Sequence, residues 1–492
     1  MMADVTVVLN DHSMMYVGCD RGIQQELSDH FSFFVPGYKF MPAYKNRVWD
    51  GRIKLFNSMT GELNAGLFSY LLRFCIERGY EVDIEENEYG FPGQQDKVNQ
   101  QQFDQWFKSI NAPFPLRDYQ YDAVMQGLKR QRALLLSPTG SGKSFIIYAL
   151  MRWLLEQQQG KILVIVPTTS LVEQMYSDFR DYNYDVESNV HRIYSGRDKN
   201  TNKRVVVSTW QSIYKFPKQW FSQFDVIFGD ECHGFKSKSL SSIMNKATQA
   251  KYRIGTTGTL DGTQTHKLVL EGLFGPVYKV TTTKSLQDND TLAPLDIKVL
   301  LLNYNDQTKQ DMIGASYQDE IDFIVQHKRR NAFIANLALA EAGNTLVLFR
   351  YVDRHGKPLY DLINTKAEQG RKVFFVHGDV DTADREAVRK IVEKQNNAVI
   401  VASLGTFSTG INIKNLHNII FASPSKSQIK VLQSIGRGLR KSDDGRTTQL
   451  FDIADDFHWK SRKNFTLIHS AERVKIYEKE QFDYKIVKVD IE

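Results

Sequence analysis

The chain opens with an alternating run, Val5-Thr6-Val7-Val8-Leu9, whose period of two predicts a half-buried strand. Residues 67–74 carry apolar side chains at helical spacing. A polar stretch at 85–102, with Gly90, Pro92, Gly93 and Gln-Gln pairs, predicts a linker that closes an N-terminal α+β domain over residues 1–100. The pattern then changes. Short β-branched runs at 133–137, 162–166, 205–208, 226–228 and 252–255 alternate with amphipathic helical stretches such as 145–157 and 171–182. Such alternation predicts a parallel sheet covered by helices. A break at 286–294 follows, and the pattern restarts with runs at 345–349, 373–376, 399–402, 419–422 and 450–453. The expectation is two successive α/β domains, 101–285 and 286–456, followed by a charged helical extension over 457–492.

Composition narrows this reading only a little. The chain has 492 residues, 42% of them hydrophobic and 24% charged, the make-up of an ordinary globular protein with room for a large core. Its three cysteines (Cys19, Cys75, Cys232) are scattered, which argues against a disulfide framework or a zinc module and for a reducing compartment. The first twenty residues lack the basic-then-apolar order of a signal peptide, and no apolar run is long enough to span a bilayer. A cytoplasmic protein is expected. The formal charge of +6 permits a polyanionic partner without demanding one.

The chemistry sits where strands end. Ser137-Pro-Thr-Gly-Ser-Gly-Lys-Ser144 joins an expected strand to an expected helix, the setting of a phosphate-binding loop. Pro138, Thr139, Gly140, Ser141 and Gly142 would wrap the phosphates with backbone N–H groups. Lys143 would charge-pair the β- and γ-phosphates, and Ser144 would bind magnesium. Ser137 stands where the strict pattern has glycine, and a plain Gly/Ser turn before a helix would look similar. Asp230-Glu-Cys-His233 ends the run at 226–228. Asp230 is suited to hold the hydrated metal, and Glu231 to orient and deprotonate the attacking water. An acidic surface loop would share that composition. His233 is read as a hydrogen-bonding switch between the ATP site and the nucleic-acid cleft. Far downstream, Arg437 and Arg440 lie one helical turn apart in Gln433-Ser-Ile-Gly-Arg-Gly-Leu-Arg440. Such a pair can stabilise charge on a γ-phosphate, although a solvated basic face carries the same spacing.

Taken in order, these segments resemble the motifs of superfamily 2 helicases. Arg117-Asp-Tyr-Gln120 resembles the adenine-reading element, and Val166-Pro-Thr-Thr-Ser-Leu-Val-Glu-Gln174 resembles motif Ia. Ser208-Thr-Trp-Gln211 resembles the next strand-contact motif, and Asp230 to His233 a DExH-type motif II. Thr257-Gly-Thr259, Ser408-Thr-Gly-Ile-Asn412 and Gln433 to Arg440 resemble motifs III, V and VI. The resemblance spans roughly residues 115–455 and implies two tandem RecA-like domains that bind ATP and magnesium. It places Gln433, Gly410 and Asn412 at the nucleotide, and Thr168, Thr169, Thr209, Ser408 and Thr409 on the nucleic-acid backbone. Singly, each threonine also suits a helix cap or turn. The length of the chain, with Phe31-Ser-Phe33, Trp49-Asp-Gly-Arg52 and the Glu-Cys-His form of motif II, resembles more narrowly the UvsW-type recombination and repair helicases of T-even-like phages. That likeness implies 3′-to-5′ unwinding and branch migration of forks, four-way junctions and R-loops, with branched DNA or an RNA–DNA hybrid as partner, a monomer, and the host cytoplasm as location.

Residues 38–54 interleave Tyr38, Phe40, Tyr44 and Trp49 with Lys39, Lys45, Arg47, Arg52 and Lys54, against one acid, Asp50. Lys45, Arg47, Trp49 and Arg52 form a candidate nucleic-acid patch, with an aromatic available for stacking. A hairpin with a small aromatic core and solvated lysines fits the same residues. Residues 460–488 hold eight bases and four acids, read as a solvated helical face. Three rivals remain at this level. They are an RNA helicase on the same core, a duplex translocase that does not separate strands, and an ATP-gated clamp, which could dispense with Glu231.

Overall fold

The computed structural model describes residues 3–491 apart from 195–197, 235–236, 261–263, 381, 407–412, 414, 424–430, 432–434 and 437–445. Internal contacts divide the chain into two compact units. One comprises residues 1–137 and 142–280, the other residues 281–492 with the loop residues 138–141.

The first unit begins with strands β1 (Val5–Leu9), β2 (Met14–Cys19), β3 (Ser32–Phe34), β4 (Arg52–Lys54), β5 (Phe56–Asn57), β6 (Glu62–Asn64) and β7 (Val82–Ile84). They form a five-stranded mixed sheet ordered β5-β6-β2-β1-β7, and β3 pairs with β4 as a separate two-stranded ribbon. The alternation of 5–9 is realised: Val5, Val7 and Leu9 are buried and their neighbours half-buried. Helix Phe68–Arg78 packs Leu71, Phe74 and Cys75 into the same core as Ile23 and Leu27 of helix Arg21–His30. It ends at Gly79, whose φ of +73° provides the left-handed cap.

The expected linker is tied down rather than loose. Within it, Asp96 accepts hydrogen bonds from the Gln131 amide (2.8 Å) and the Tyr252 hydroxyl (2.6 Å). The small domain is also seated on helix Gln264–Phe274 of the helicase domain that follows. A Cβ added at Gly66 would lie 2.1 Å from the Glu271 carbonyl oxygen, so the two backbones touch with no room for a methyl group. Nearby, the Tyr70 hydroxyl donates to Glu271 Oε2 (2.7 Å), the His12 N–H donates to the Thr248 carbonyl (3.1 Å), and Leu268 joins the small domain's core.

The helicase sheet of this unit contains β8 (Arg132–Leu136), β9 (Lys161–Val166), β10 (Val190–Ile193), β11 (Val205–Thr209), β12 (Phe224–Gly229), β13 (Tyr252–Thr257) and β14 (Val277–Lys279). All are parallel, ordered β10-β11-β9-β12-β13-β8-β14. Central strands such as β11 and β13 are buried at every position, because helices cover both faces. Parallel pairing brings every carboxyl end to one edge, where open α/β sheets bind ligands.

The second unit repeats the plan with β15 (Leu295–Tyr304), β16 (Thr345–Phe349), β17 (Val373–Val376), β18 (Val399–Ser403), β19 (Asn418–Phe421), β20 (Thr448–Asp456) and β21 (Tyr484–Ile491), ordered β17-β18-β16-β19-β20-β15-β21 and again parallel. Residues 457–492 depart from the expected all-helical extension. Helix Phe465–Lys479 is followed by β21, which pairs along its whole length with residues 297–304 of β15 and so belongs to the sheet. Nor is the helix simply a solvated basic face. Arg473 is 1% exposed and ion-paired to Asp452 at 2.7 Å, and the Tyr477 hydroxyl donates to the same carboxylate (2.9 Å). A matching buried pair joins Arg330 to Asp455 at 2.7 Å. Among the described residues no helix is long and apolar enough to cross a membrane.

Candidate nucleotide and nucleic-acid site

The phosphate loop leaves β8 and enters helix Lys143–Gln157. Gly140 and Gly142 have φ of +85° and +81°, values that glycine alone adopts without steric cost. The buried Ser137, which departs from the strict motif, donates its N–H to the Thr257 carbonyl (2.9 Å), anchoring the loop to β13. The Ser141 hydroxyl donates to the Pro138 carbonyl (2.7 Å). The Lys143 ammonium lies 3.1 Å from Glu231 Oε1 and 3.4 Å from the Ser137 carbonyl. Motif II is thus in contact with the phosphate-loop lysine. Among the described residues no three His, Cys, Asp or Glu side chains cluster as metal ligands. Asp230 with the Ser144 hydroxyl matches what magnesium asks of a protein beside a triphosphate, namely few oxygen ligands, with phosphates and water filling the rest.

Asp230 is buried beyond the end of β12. Its Oδ1 accepts from the Thr256 hydroxyl (2.5 Å) and from the Glu231 N–H (2.9 Å). Burial, and then the Glu231 carboxylate, push its carboxyl up to about 6, against the opposing pull of Lys143 and Thr256. Glu231 has φ of +49°, a left-handed conformation that costs a non-glycine residue about 1–3 kcal/mol and gathers at functional sites. His233 Nδ1 is 2.8 Å from Thr257 Oγ1 and 3.4 Å from Glu231 Oε2. The Thr257 hydroxyl in turn donates to the Thr259 carbonyl (2.8 Å). Motif II is therefore joined to the end of β13 by two threonine hydroxyls, Thr256 on Asp230 and Thr257, the first residue of motif III, on His233. Cys232 donates to the Gly229 carbonyl, and burial pushes its thiol well up. It is a packed core residue beside the chemistry.

Gln120 lies against this loop, and Arg117 holds Gln120. A Cβ on Gly142 would come 2.4 Å from Gln120 Nε2, so the buried amide rests on the phosphate loop. Gln120 Oε1 accepts from the Arg117 N–H (3.0 Å), and the Arg117 guanidinium donates to the Tyr119 hydroxyl (3.0 Å).

Thr168 and Thr169 begin helix Thr169–Asp181, with Thr168 as N-cap accepting from the Leu171 N–H (3.4 Å). Thr209 is buried, its hydroxyl 2.8 Å from that of Ser212. The Gln211 amide donates to the Pro167 carbonyl (3.1 Å), linking the segments 166–174 and 208–211. Ser408, Thr409, Gly410, Asn412, Gln433, Arg437 and Arg440 lie outside the described residues.

In the small domain, residues 38–54 lie between and on the β3–β4 ribbon. Phe34 stacks on Tyr38 (4.6 Å between centroids), Tyr44 meets Tyr38 edge-on (4.8 Å), and the Arg52 guanidinium lies 4.4 Å over Phe34. The Trp49 indole donates to the Arg52 carbonyl (2.7 Å). These aromatics make a small surface core. Phe40 and Val48 stay 81% and 82% exposed, and Lys45 and Arg47 are also exposed. The hairpin-core reading is realised, and these apolar and basic groups stay outside that core.

Two sequence families match the helicase sheets: "Type III restriction enzyme, res subunit" over residues 113–262 and "Helicase conserved C-terminal domain" over 328–442. The small domain matches "DNA helicase UvsW, N-terminal" over residues 4–85. The chain is 36% identical to the ATP-dependent DNA helicase uvsW of Enterobacteria phage T4, across 99% of this chain and 100% of that one. The chain belongs to the UvsW helicase family. The crystal structure of T4 UvsW agrees, with a TM-score of 0.53, 34% identity, and coverage of 99% and 100% of the two chains. This helicase is also 24% identical to the DNA 3'-5' translocase XPB2 of Sulfurisphaera tokodaii, over 84% of its own length and 93% of the relative's. A DNA-bound Type ISP restriction-modification enzyme, LlaBIII, shares the fold at 18% identity and a TM-score of 0.57, over 77% of this chain and 32% of that one. The protein is thus an ATP-dependent DNA helicase with superfamily 2 architecture.

Two contacts escaped the sequence reading. Thr256 is one residue before the motif III segment, and its bond to Asp230 follows from β12 and β13 being neighbours, which no local spacing shows. Tyr182 is the last residue of the helical stretch expected over 171–182 and has no motif of its own, yet its hydroxyl is 2.9 Å from that of Ser144.

Proposed function

We propose that this helicase unwinds and remodels branched DNA (forks, four-way junctions and R-loops) in recombination, repair and replication restart, moving 3′ to 5′ with magnesium-dependent ATP hydrolysis. The observation that carries the branch reading is the aromatic and basic hairpin at residues 38–54, on a domain seated against the first helicase domain without room for a methyl group at Gly66. A base-stacking surface held at a constant distance from the strand-gripping edge suits a junction, where one strand must leave another. The polarity rests on the likeness to a relative described as a 3'-5' translocase.

In this reading Lys143 and the loop from Pro138 to Gly142 bind the phosphates, while Arg117 and Gln120 read the adenine. Ser144 and Asp230 hold magnesium, which neutralises phosphate charge when bound. Glu231, paired with Lys143 at 3.1 Å, orients the water and takes its proton. His233 and Thr257 relay the state of that carboxylate towards motif III. Arg437, Arg440 and Gln433 offset charge developing on the γ-phosphate, with Gly410 and Asn412 at the nucleotide. Thr168, Thr169, Thr209, Ser408 and Thr409 contact strand phosphates, which carries no sequence preference.

The test is ATP turnover with single strands, duplex, four-way junctions, R-loops and RNA, with Lys143→Ala as the control. Branched DNA should stimulate most. Equal stimulation by every nucleic acid removes the branch reading, and stimulation by RNA alone favours an RNA helicase.

A further inference from the structure

Helix Thr169–Asp181 has the strand-contact segment at one end and the phosphate-loop helix at the other. Its first turn is capped by Thr168. Its last turn is closed by Tyr182, whose N–H donates to the Asp178 carbonyl (2.9 Å). Asn183 follows with φ of +62°, and the Tyr184 N–H returns to the Phe179 carbonyl (3.1 Å). This is a defined helix stop, and it fixes where the Tyr182 ring points.

The ring packs edge-on against Phe145 (4.8 Å) and beside Tyr148 (5.3 Å). The buried Tyr148 hydroxyl donates to the Tyr182 carbonyl (2.8 Å) and accepts from Arg152 (2.8 Å). Tyr182 is thus held through both backbone and ring. Its hydroxyl lies 2.9 Å from Ser144 Oγ. A serine that ligates a cation must send its own proton elsewhere, so that a lone pair faces the metal. Groups that accept such protons tune metal affinity. The rod itself is stiff. Val172, Met175, Tyr176 and Phe179 bury one face of its 13 residues, which span about 20 Å.

We propose that Tyr182 is a positioning residue whose hydroxyl oxygen accepts a hydrogen bond from the Ser144 hydroxyl, and that helix Thr169–Asp181 thereby couples strand binding at Thr168 to the magnesium-binding hydroxyl. The inference rests on the reading of Thr168 as a strand contact and of Ser144 as a magnesium ligand. Strand phosphates pulling on the first turn shift the rod, and the Tyr182 hydroxyl moves with it. By linkage the effect is reciprocal: magnesium-nucleotide must tighten strand binding by the factor that the strand tightens magnesium-nucleotide. One neutral hydrogen bond sets the scale at about fivefold.

The experiment uses the full-length protein and a fluorescent ADP analogue, titrated with magnesium, with and without a saturating oligothymidylate. In the parent protein the oligonucleotide should lower the magnesium needed for half-maximal analogue binding by about fivefold. In Tyr182→Phe, which keeps the ring, that shift should disappear. Analogue binding without magnesium and oligonucleotide affinity without nucleotide should stay unchanged. A shift that persists in Tyr182→Phe, or is absent from the parent, overturns the proposal. If Tyr182→Phe melts early, Tyr148→Phe, which frees the Tyr182 carbonyl, must reduce the shift, and a full shift there overturns the proposal equally. Thr168→Ala separates the underlying reading. If it leaves oligonucleotide affinity intact, Thr168 is a cap and not a strand contact, whatever Tyr182 does.

Discussion

At the carboxyl edge of the first helicase sheet, the site's key polar side chains are held by neighbours: Lys143 by Glu231, Asp230 by Thr256, His233 by Thr257, Gln120 by the Arg117 backbone. In the small domain the order is reversed. The aromatics at residues 34, 38 and 44 hold one another, and the groups that would meet a partner, Phe40, Val48, Lys45 and Arg47, project into solvent. The contrast fits the two proposed tasks. Transition-state stabilisation depends on groups fixed in advance, so losing one member disables the set. Strand recognition by stacking and phosphate contact is a sum of separable contributions. The nucleotide site should therefore fail all at once, and the hairpin by degrees.

The largest effect should come from Lys143→Ala or Glu231→Gln. DNA-stimulated ATP turnover should fall by at least about a hundredfold in either, with Glu231→Gln still binding nucleotide in a filter or fluorescence assay. If either variant kept a third of its turnover, the preorganised picture of this edge would be wrong. Next, Phe40→Ala combined with Val48→Ala should slow unwinding of a forked duplex by about tenfold while leaving turnover on single strands within about twofold. Loss of both activities together would place the hairpin in the motor and dissolve the contrast. Gly66→Val should cost about 1–3 kcal/mol of stability in chemical denaturation, because its side chain meets the Glu271 backbone. It should impair fork unwinding more than turnover. Smallest of all, Lys45→Ala and Arg47→Ala should each flatten the salt dependence of duplex binding by about one unit of slope. Unchanged slopes would leave those two side chains merely solvated.

Much of this architecture was legible in the sequence. Strands β16 and β17 coincide with the runs read from 345–349 and 373–376, and β8, β9 and β11 to within a residue at each end. Central parallel strands buried on both faces give unbroken β-branched runs, the plainest signal available. The phosphate loop and motif II were legible because their chemistry is packed into a few consecutive residues. What escaped lies at edges and over distance. Strand β15 begins directly after the supposed break, right behind Pro294, and edge strand β21 is exposed along most of its length, so neither shows the buried-strand pattern cleanly. Arg473 was read as surface charge because the carboxylate that takes it into the core, Asp452, is on a different element. The partners of Asp230 and Ser144, Thr256 and Tyr182, are 26 and 38 residues away in the chain, a separation that only the folded sheet closes.

The contact at Gly66 has one more consequence. A domain on a flexible tether samples orientations, and its grip on a substrate averages over them. A domain seated backbone to backbone keeps a constant heading relative to the helix beneath it. If the hairpin and the strand-contact segments both meet DNA, as proposed, the angle between the two arms is set by that seat.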